Sequence, residues 1–574
     1  MNEIKVIVGI DFGSSGTGYA FSYNNPKDII LGKFINQGID SKVPTQIILD
    51  SKLEKVLAFG NECKNYIENY GLFENGELFF QKIKMNLYEG SYMIKPQNNS
   101  IEYPLEDVIS KVLEYIKEEA IKSIKDYNPK IKLEQIKYVV TVPAIWELSM
   151  KGIMIKASEK AGLLNQNTDI LNFFALEPEA ASLYCLDNEN IDSDCFKPGH
   201  SYIICDLGGG TGDIVTHCID FDGNIIEKHP PIGGNYGSDE IDKEIFKRVF
   251  YELFGFKDYN SLKKKNNELK ENRWNEDELY KEWENLQEEI QSKKEITEDS
   301  RDKYFFLNCQ IFKDFVDQSL EEVVDNYNNK CIERWKVTIK NKNKWIIFFP
   351  YNIIFDLIKE HSEIIITKIK NICEKVQGIE SILFVGGYCS NEILYNNIKE
   401  NINLINLKPP RPEIAVVKGA VLFGLNPDKI KIRIFPYTLG FNCDDDWDES
   451  IHGEKGVKYL SQVTNTYICL NSFHTFIKMG ESIPKNHIIT HNFYTLNSRM
   501  IILKFFKTLK NNPILWTEDG IDLIGSDTID LQKDYNLNER GLSVTLKFGG
   551  TYVEAKCLHF ESKIEKDLIL HFNK

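Results

Sequence analysis

The chain has 574 residues, of which 42% are hydrophobic and 27% are charged. A chain of this length and composition is expected to form more than one domain, each with a sizeable core. Its formal net charge of −16 argues against a general binder of nucleic acids or anionic membranes, because such proteins need a basic surface.

The cysteine pattern and the apolar runs bear on the compartment. Twelve cysteines are scattered without a CxxC pair, and the amino terminus carries no signal-peptide pattern. The strongest apolar run, at 345–358, is interrupted by Pro350, Asn352 and Asp356, so no segment is predicted to span a bilayer. These features predict a cytoplasmic protein.

The first part of the chain alternates between strand and helix patterns. Residues 1–50 read as β-rich, and residues 105–128 place apolar side chains at helical spacing. A strand is predicted at 138–146, followed by a helix at 150–163 and a mixed segment at 173–186. Such alternation is typical of α/β layers.

The second part contains a charged stretch and then changes character. The strong charge of residues 255–303 indicates a solvated helical insertion, which we bound at about 255–340. Helices are predicted at 345–372 and 411–430, with a strand, a Gly-Gly turn and a helix start between them at 381–394.

After about residue 431 the pattern is one of short alternating runs separated by Gly, Asn and Pro turns, which predicts an antiparallel β-domain. The sequence therefore predicts two domains, an α/β domain over 1–430 and a smaller β-rich domain over 431–574. No long helix follows the last strands, so no helical lid is expected.

Two glycine-rich turns carry the strongest chemical signal. The first, VGIDFGSSGTGYAF (8–21), places Asp11, Gly13, Ser14 and Ser15 directly after an apolar run. The second, SYIICDLGGGTGDIV (201–215), repeats the arrangement with Asp206, Gly208, Gly209, Gly210, Thr211 and Asp213 after its apolar run.

Turns of this kind suit a polyphosphate. The missing side chains let backbone N–H groups approach phosphate oxygens, and the hydroxyls add donors. The two aspartates can hold a hydrated Mg²⁺ and orient an attacking water. Two matched turns facing each other across a cleft therefore predict a clamp for ATP or ADP.

Five motifs in order resemble the actin/hexokinase/heat-shock ATPase superfamily. They are the two glycine turns, TVPAIW (141–146), LEPEAAS (176–182) and the adenosine-type Gly-Gly at 386–387. Within it the chain is similar to the 70-kilodalton heat-shock proteins, and most similar to their divergent 12A/12B-like subgroup, on motifs such as PIGGNYGSDEID (231–242) and VKGAVLFGLNP (417–427). The resemblance implies an actin-like duplicated ATPase fold, with two lobes around a nucleotide cleft.

The resemblance also implies roles for individual residues. Asp11 and Asp206 would hold Mg²⁺ through water, Glu177 would position the attacking water, and Lys84, with Lys82 as the alternative, would stabilise the transferring phosphate. The remaining nucleotide contacts implied by the family are Gly13, Ser14, Ser15, Gly208, Gly209, Gly210, Thr211, Gly233, Gly234, Glu289, Lys293, Gly386, Gly387 and Tyr388.

Two departures from the family pattern are visible. The adenosine turn reads GGYCSN, so the family's stacking arginine is missing. The stretch KIKIRIFPYTLGF (429–441) lacks the leucine run that links the domains of mainstream members, which predicts weak coupling between nucleotide and β-domain.

The leading functional prediction is a slowly ATP-hydrolysing, Mg²⁺-dependent, chaperone-like protein of the 70-kilodalton heat-shock family. Its expected partners are nucleotide, extended polypeptide segments and co-chaperones. Two alternatives stay open: a nucleotide-gated scaffold with little or no hydrolysis, and a small-molecule kinase of the same superfamily.

Overall fold

The computed structural model describes residues 3–34, 37, 41–71, 76–164, 170–188, 191, 193–269, 274–461, 465–494, 499–536, 539–548 and 550–568. It has a mixed α/β architecture with several sheets. Within these described ranges, no helix is both long and apolar enough to cross a membrane. All twelve cysteines are free thiols.

The first part of the chain begins with the hairpin that carries the first glycine turn. Its elements are β1 (Val6–Phe12), β2 (Gly16–Ser22), β3 (Ile30–Leu31), β4 (Lys42–Pro44), β5 (Ile47–Leu49), β6 (Val56–Phe59), α1 (Glu62–Tyr70), β7 (Leu78–Phe80), α2 (Ile83–Tyr88), β8 (Met93–Ile94), β9 (Tyr103–Pro104), α3 (Leu105–Tyr127), β10 (Ile136–Val142), α4 (Leu148–Lys160), β11 (Phe174–Leu176) and α5 (Glu177–Leu186).

The middle part begins with the hairpin that carries the second glycine turn. Its elements are β12 (Ser201–Leu207), β13 (Gly212–Ile219), β14 (Ile225–Gly234), α6 (Asp239–Ile245), α7 (Tyr251–Phe254), α8 (Tyr259–Glu268), α9 (Glu276–Ser292), β15 (Tyr304–Asn308), α10 (Leu320–Asn328), β16 (Thr338–Asn341), β17 (Ile346–Pro350), α11 (Asn352–Lys375), β18 (Ile379–Val385), α12 (Glu392–Asn401), β19 (Ile405–Leu407) and α13 (Ala415–Leu425).

The last part consists almost entirely of strands. Its elements are β20 (Ile430–Ile434), β21 (Thr438–Asp446), α14 (Glu449–His452), β22 (Val457–Leu460), β23 (Tyr467–Ile477), β24 (Ser482–Pro484), β25 (Ile488–Tyr494), β26 (Met500–Thr508), β27 (Ile521–Asp530), β28 (Gly541–Lys547), β29 (Glu554–His559) and β30 (Glu565–Leu568).

Two large sheets share one strand order. The first runs β11-β10-β1-β2-β3, with β4 also paired to β2, and the second runs β19-β18-β12-β13-β14 and continues into β20 and β24. In each, the strand before the glycine turn is antiparallel to its hairpin partner and parallel to the strand on its other side. The two glycine turns therefore occupy equivalent places in two equivalent sheets.

Helices α5 and α13 pack against each other between these sheets. Their apolar residues join one core cluster that takes side chains from both sheets, including Val139 of β10 and Ile204 of β12. Nearly every residue of α13 is buried. The helix predicted at 411–430 is shorter than expected, because 412–414 and 427–429 form single 3-10 turns and β20 starts at residue 430. It lacks a solvated face, because the first sheet and α5 cover it.

Two further segments differ from their predicted patterns. The helix predicted at 345–372 starts later, because residues 346–350 form β17 in a three-stranded sheet of order β15-β17-β16. The insertion predicted as helical at about 255–340 contains α8, α9 and α10 and also the strands β15 and β16. Within it, residues 304–308 alternate between exposed and buried, as expected for a strand with one buried face.

The carboxyl-terminal strands form two antiparallel sheets, of order β22-β23-β21-β26-β27 and β25-β28-β29-β30, around a shared core. Two strands from beyond residue 430 lie elsewhere: β20 runs parallel to β14, and β24 pairs antiparallel with β20. The chain segment that connects the two predicted domains is thus an integral strand of the second large sheet.

A buried ion pair fixes β20 to α5. Arg433 of β20 donates from Nε to Oε1 of Glu179 at 2.6 Å and from Nη2 to Oε2 at 2.9 Å, and the two side chains are 14% and 4% exposed. We expect Arg433→Met to lower the free energy of unfolding by about 3–5 kcal/mol, because Glu179 would remain buried without its partner. Urea unfolding followed by circular dichroism measures the loss.

Arg499→Met is the matched control. Arg499 makes the same two-pronged contact with Asp530, at 2.8 and 3.0 Å, but both side chains are about half exposed. Water and salt screen such a pair, so its removal should leave the unfolding midpoint almost unchanged. Equal effects of the two substitutions would contradict the role assigned to the buried pair.

Candidate functional site: a cleft between two glycine turns

The two glycine turns lie on facing walls of one open cleft, whose cavity volume is about 170 Å³. Strands β1 and β12 each carry an aspartate as their next-to-last residue and lead into their turns, so both turns lie at the same end of equivalent strands. A Cβ added to Gly209 would lie 1.8 Å from Oγ of Ser15, so only glycine permits this approach of one turn to the other.

Most of the predicted site residues line this cleft together. Those that do are Asp11, Gly13, Ser14, Ser15, Lys84, Glu177, Asp206, Gly208, Gly209, Thr211, Gly386 and Gly387. They come from five separate stretches of sequence, which the fold brings together in one place.

The other predicted residues lie beside the cleft or beyond its lining. Gly210 faces Ser14, since a Cβ there would come within 2.9 Å of the Ser14 Cβ. Gly233 and Gly234 of β14 pair with the start of β13, directly after the second turn. Tyr388 is buried against His361 of α11, with 3.4 Å between its hydroxyl and Nδ1.

Glu289 and Lys293 lie at the end of α9. The next residue, Lys294, forms an ion pair with Asp242 at 2.7 Å, and its carbonyl accepts a hydrogen bond of 2.9 Å from the Asn391 side chain. This helix end is therefore anchored beside the Gly386–Ser390 turn. The roles of Glu289, Lys293 and Tyr388 in binding nucleotide stay predictions.

Six cleft residues were not predicted as site residues, namely Gly16, Lys42, Gly212, Asp213, Glu413 and Val416. Gly16, Gly212 and Asp213 lie within the two glycine motifs, so the sequence contained enough information to include them in the site. Glu413 and Val416 open the helix after the Gly-Gly turn, in the segment RPEIAVVKGA (411–420). Lys42 has no local signal, because it reaches the cleft only through the pairing of β4 with β2.

Lys84 and Glu177 form a close ion pair within the cleft. Nζ of Lys84 donates to Oε1 of Glu177 at 2.5 Å, and the lysine side chain is only 3% exposed. The Trp146 ring lies 5.5 Å from the same ammonium group. Lys82, the alternative to Lys84, immediately precedes α2, and its side chain is exposed.

Five carboxylates line this cleft: Asp11, Glu177, Asp206 and Asp213 act on one another, while Glu413 pairs with Arg411 at 2.8 Å. Burial and the neighbouring Glu177, Asp213 and Asp11 raise the pKa of Asp206 well above its usual range. Burial, together with the charge of Glu177, raises the pKa of Asp213 to about 7. Burial and the Asp11 charge likewise raise the pKa of Glu177, although Lys84 opposes them. The cleft is thus an anionic site with a deficit of positive charge.

The TVPAIW segment, at the end of β10, is hydrogen-bonded to both walls of the cleft. The Thr141 hydroxyl donates to Oδ1 of Asp11 at 3.3 Å on the first wall, and the backbone N–H of Ala144 donates to Oδ2 of Asp213 at 2.7 Å on the second. A change in position of either aspartate would therefore be transmitted to this segment.

A second buried carboxyl predicts a pH effect on stability. Glu227 of β14 accepts a 2.7 Å hydrogen bond from the backbone N–H of Ile434, and burial raises its pKa to about 8. Its pKa in the unfolded chain is lower, so the folded state binds an extra proton, and stability falls as pH rises through the folded pKa. From pH 6 to 8 this group alone should remove about 2 kcal/mol of stability.

Glu227→Gln isolates this contribution, since the amide can still accept from Ile434 but does not titrate. Nearby His217, whose pKa burial lowers to about 4, and Lys151, whose pKa burial lowers to about 8, change stability in the opposite sense and are common to both proteins. Urea unfolding at pH 6, 7 and 8 should show a flatter fall, or a rise, for the variant. Identical pH dependence would contradict the assignment.

Comparisons with known proteins agree with this geometry. No protein-family model matches the chain. Heat shock 70 kDa protein 12A of Homo sapiens is 23% identical over 96% of this chain and 89% of its own length, and heat shock 70 kDa protein 12B of Homo sapiens is 22% identical over 92% and 84%. The chaperone protein HscA homolog of Rickettsia bellii (strain RML369-C) is 26% identical over 42% of this chain and 37% of its own.

The alignments to 12A and 12B take in more than nine-tenths of the chain, so they extend into the carboxyl-terminal strands. The sequence, the paired sheets and these relatives lead to the same assignment. The chain is homologous to the heat shock 70 kDa proteins 12A and 12B, a divergent subgroup of the HSP70-like proteins.

Proposed function

We propose that this protein binds Mg·ATP in the cleft between its two glycine turns and hydrolyses it slowly, as a chaperone-like member of the 70-kilodalton heat-shock family. The observation that carries the proposal is the approach of the two turns, with Gly209 against Ser15, around a buried group of carboxylates and lysines. Backbone N–H groups on both walls can then bind one phosphate chain.

We further infer that the two equivalent sheets are the two lobes of an actin-like duplicated fold. Their common strand order supports this, as does the pair of helices packed between them. Residues 1–430 would form the ATPase domain, and residues 431–574 the β-rich domain. Because β20 belongs to the second sheet, we infer that the boundary lies within a docked connector rather than at a free linker.

The residues in the cleft fit Mg²⁺. Carboxylate oxygens are hard donors, and Oδ1 of the buried Asp213 has no hydrogen-bond partner among the described residues. No group of three or more His, Cys, Asp or Glu side chains in the described ranges is arranged to hold a metal ion by itself. Mg²⁺ usually keeps several waters and binds through one or two carboxylates plus phosphate, so Asp11 and Asp206 would hold it through water. When bound, it would neutralise charge on the phosphates.

The protein's own residues would bind the phosphates, orient the water and stabilise the transferring phosphate. Ser14, Ser15 and Thr211 would donate hydroxyl groups to the β- and γ-phosphates, while Glu177 would orient the attacking water. Lys84 would place a fixed positive charge beside the transferring phosphate, at a position where little water competes with it. Its present contact with Glu177 means that this ion pair must loosen for both groups to act.

That contact also favours the second candidate, a nucleotide-gated scaffold. If Lys84 keeps Glu177 engaged when nucleotide is bound, the water is poorly oriented and hydrolysis is slow or lost. Single-turnover hydrolysis compared with the rate of ADP release separates the two functions. Measurable turnover supports the ATPase, whereas tight binding without turnover supports the scaffold.

We propose that the β-rich domain binds extended apolar polypeptide segments and that co-chaperones act on the ATPase domain. The edge strand β22 supports the first point, because its residues are exposed and include Val457, Tyr459 and Leu460. An added strand could pair with such an edge. ADP release measured with and without an unfolded peptide tests this function, and no effect of peptide at saturation would count against it.

A further inference from the structure

Lys42 reaches the cleft by crossing a strand. In the first sheet Asp11 of β1 pairs with Gly18 of β2, and Gly18 pairs in turn with Lys42 of β4. The lysine extends over Gly18, and its ammonium group lies 2.5 Å from Oδ2 of Asp11. One strand, β2, therefore separates the backbones of two residues whose charged groups are in contact.

Gly18 makes this crossing possible. A Cβ at position 18 would lie 2.9 Å from Cγ of Lys42 and 2.5 Å from the carbonyl oxygen of Ser41, so any side chain there would displace the lysine stem. Beyond Lys42, the strand is fixed to the first glycine turn, because the Thr45 hydroxyl donates to the carbonyl of Gly13 at 2.7 Å. The position of the ammonium group is thus determined by the sheet and not by a mobile loop.

The balance of charges in the cleft indicates a role for this ammonium group. Five carboxylates line the cleft, one of which, Glu413, pairs with Arg411 outside the lining; the cations lining the cleft are Lys84 and Lys42, and Lys84 is already engaged by Glu177. Lys42 is 27% exposed on the cleft side, so it stays accessible to a ligand.

We propose that Lys42 is a built-in counter-cation of the nucleotide site: it neutralises Asp11 in the free protein and contacts the phosphates of bound nucleotide, so that binding depends only weakly on Mg²⁺. This inference rests on the proposed function, and it adds a phosphate-binding residue to the expected set. A fixed ammonium group beside the phosphate chain supplies part of the charge that a divalent ion would otherwise supply.

The test is the affinity for a non-hydrolysable ATP analogue, measured by calorimetry with Mg²⁺ and again with EDTA. The quantity compared is the ratio of the two dissociation constants. We expect this ratio to stay below about 10 for the wild-type chain and to exceed about 100 for Lys42→Met, a difference of at least about 1.4 kcal/mol. Lys27→Met, an exposed lysine after β2, is the matched control and should keep the wild-type ratio.

Each outcome decides the proposal. An unchanged ratio in Lys42→Met, with an unchanged melting temperature, would overturn it, as would a wild-type ratio above about 100. If Lys42→Met fails to fold, Lys42→Arg, which keeps the charge, and Lys42→Gln, which removes it, are compared in the same way. No binding by the wild-type chain in either condition would refute the proposed function itself, and this inference with it.

A second measurement avoids nucleotide altogether. Without Lys42, Asp11 has no ion-pair partner and the cleft carries one more uncompensated negative charge. We therefore expect nucleotide-free Lys42→Met to bind Mn²⁺ at least about tenfold more tightly than the wild type, by electron paramagnetic resonance. Equal Mn²⁺ affinity in the two proteins would contradict the neutralisation of Asp11 by Lys42.

Discussion

Lys84→Met should slow ATP hydrolysis by about 100- to 1,000-fold, which corresponds to about 2.7–4 kcal/mol of transition-state stabilisation. Lys84 is almost fully buried at the cleft, so its charge acts where water cannot screen it. Methionine matches the length of the lysine stem and removes only the charge and the donors. Single-turnover hydrolysis measures the loss, and nucleotide affinity by calorimetry should change much less.

Lys82→Met is the control for this prediction, because Lys82 is two residues away and its side chain is exposed. It should hydrolyse ATP at the wild-type rate. If Lys82→Met lost activity and Lys84→Met kept it, the phosphate-contacting lysine would be Lys82. Thermal unfolding of both variants is needed alongside, since Lys84→Met also leaves Glu177 without its ion-pair partner.

Asp206→Asn should slow hydrolysis by about 10- to 100-fold and, in the same protein, raise stability. Asp206 lies among Asp11, Glu177 and Asp213, and burial and these charges raise its pKa, so its ionised form is unfavourable in the folded state. Asparagine keeps the shape and removes the charge. We expect an increase of roughly 0.5–2 kcal/mol in the free energy of unfolding at pH 8 for the nucleotide-free chain.

The opposite signs make this prediction distinctive, because a merely structural aspartate would lose stability when it is replaced. Urea unfolding without nucleotide and hydrolysis with Mg·ATP are measured on the same preparation. Unchanged turnover would contradict the place of Asp206 in the site. Lower stability at pH 8 would contradict the repulsion among the four carboxylates.

The parts of the site that depend on local sequence were predictable. Asp11 and Asp206 each stand next to last in a buried strand, just before a turn of small residues, and a turn of this kind is visible without knowledge of the rest of the fold. The homology to 12A and 12B was also predicted from ordered motifs.

The parts that depend on strand register were not predictable. Lys42 contacts Asp11 only because Gly18 stands between them in the sheet, and no local pattern encodes that register. The strand Ile346–Pro350 lies where the sequence predicts the start of a helix, because a short apolar run is compatible with either structure. Helix Ala415–Leu425 is almost entirely buried because the first sheet covers one side of it and helix α5 another, which is a property of the tertiary fold.

Hydrogen–deuterium exchange of the full chain, with and without saturating Mg·ATP, tests most directly whether both glycine turns bind one nucleotide. If they do, backbone amides near Gly13–Gly16 and near Gly208–Gly212 should both exchange more slowly in the presence of Mg·ATP. The exposed edge strand Val457–Leu460, far along the chain, should change little. Slower exchange in one turn alone, or in neither, would contradict the proposed nucleotide clamp.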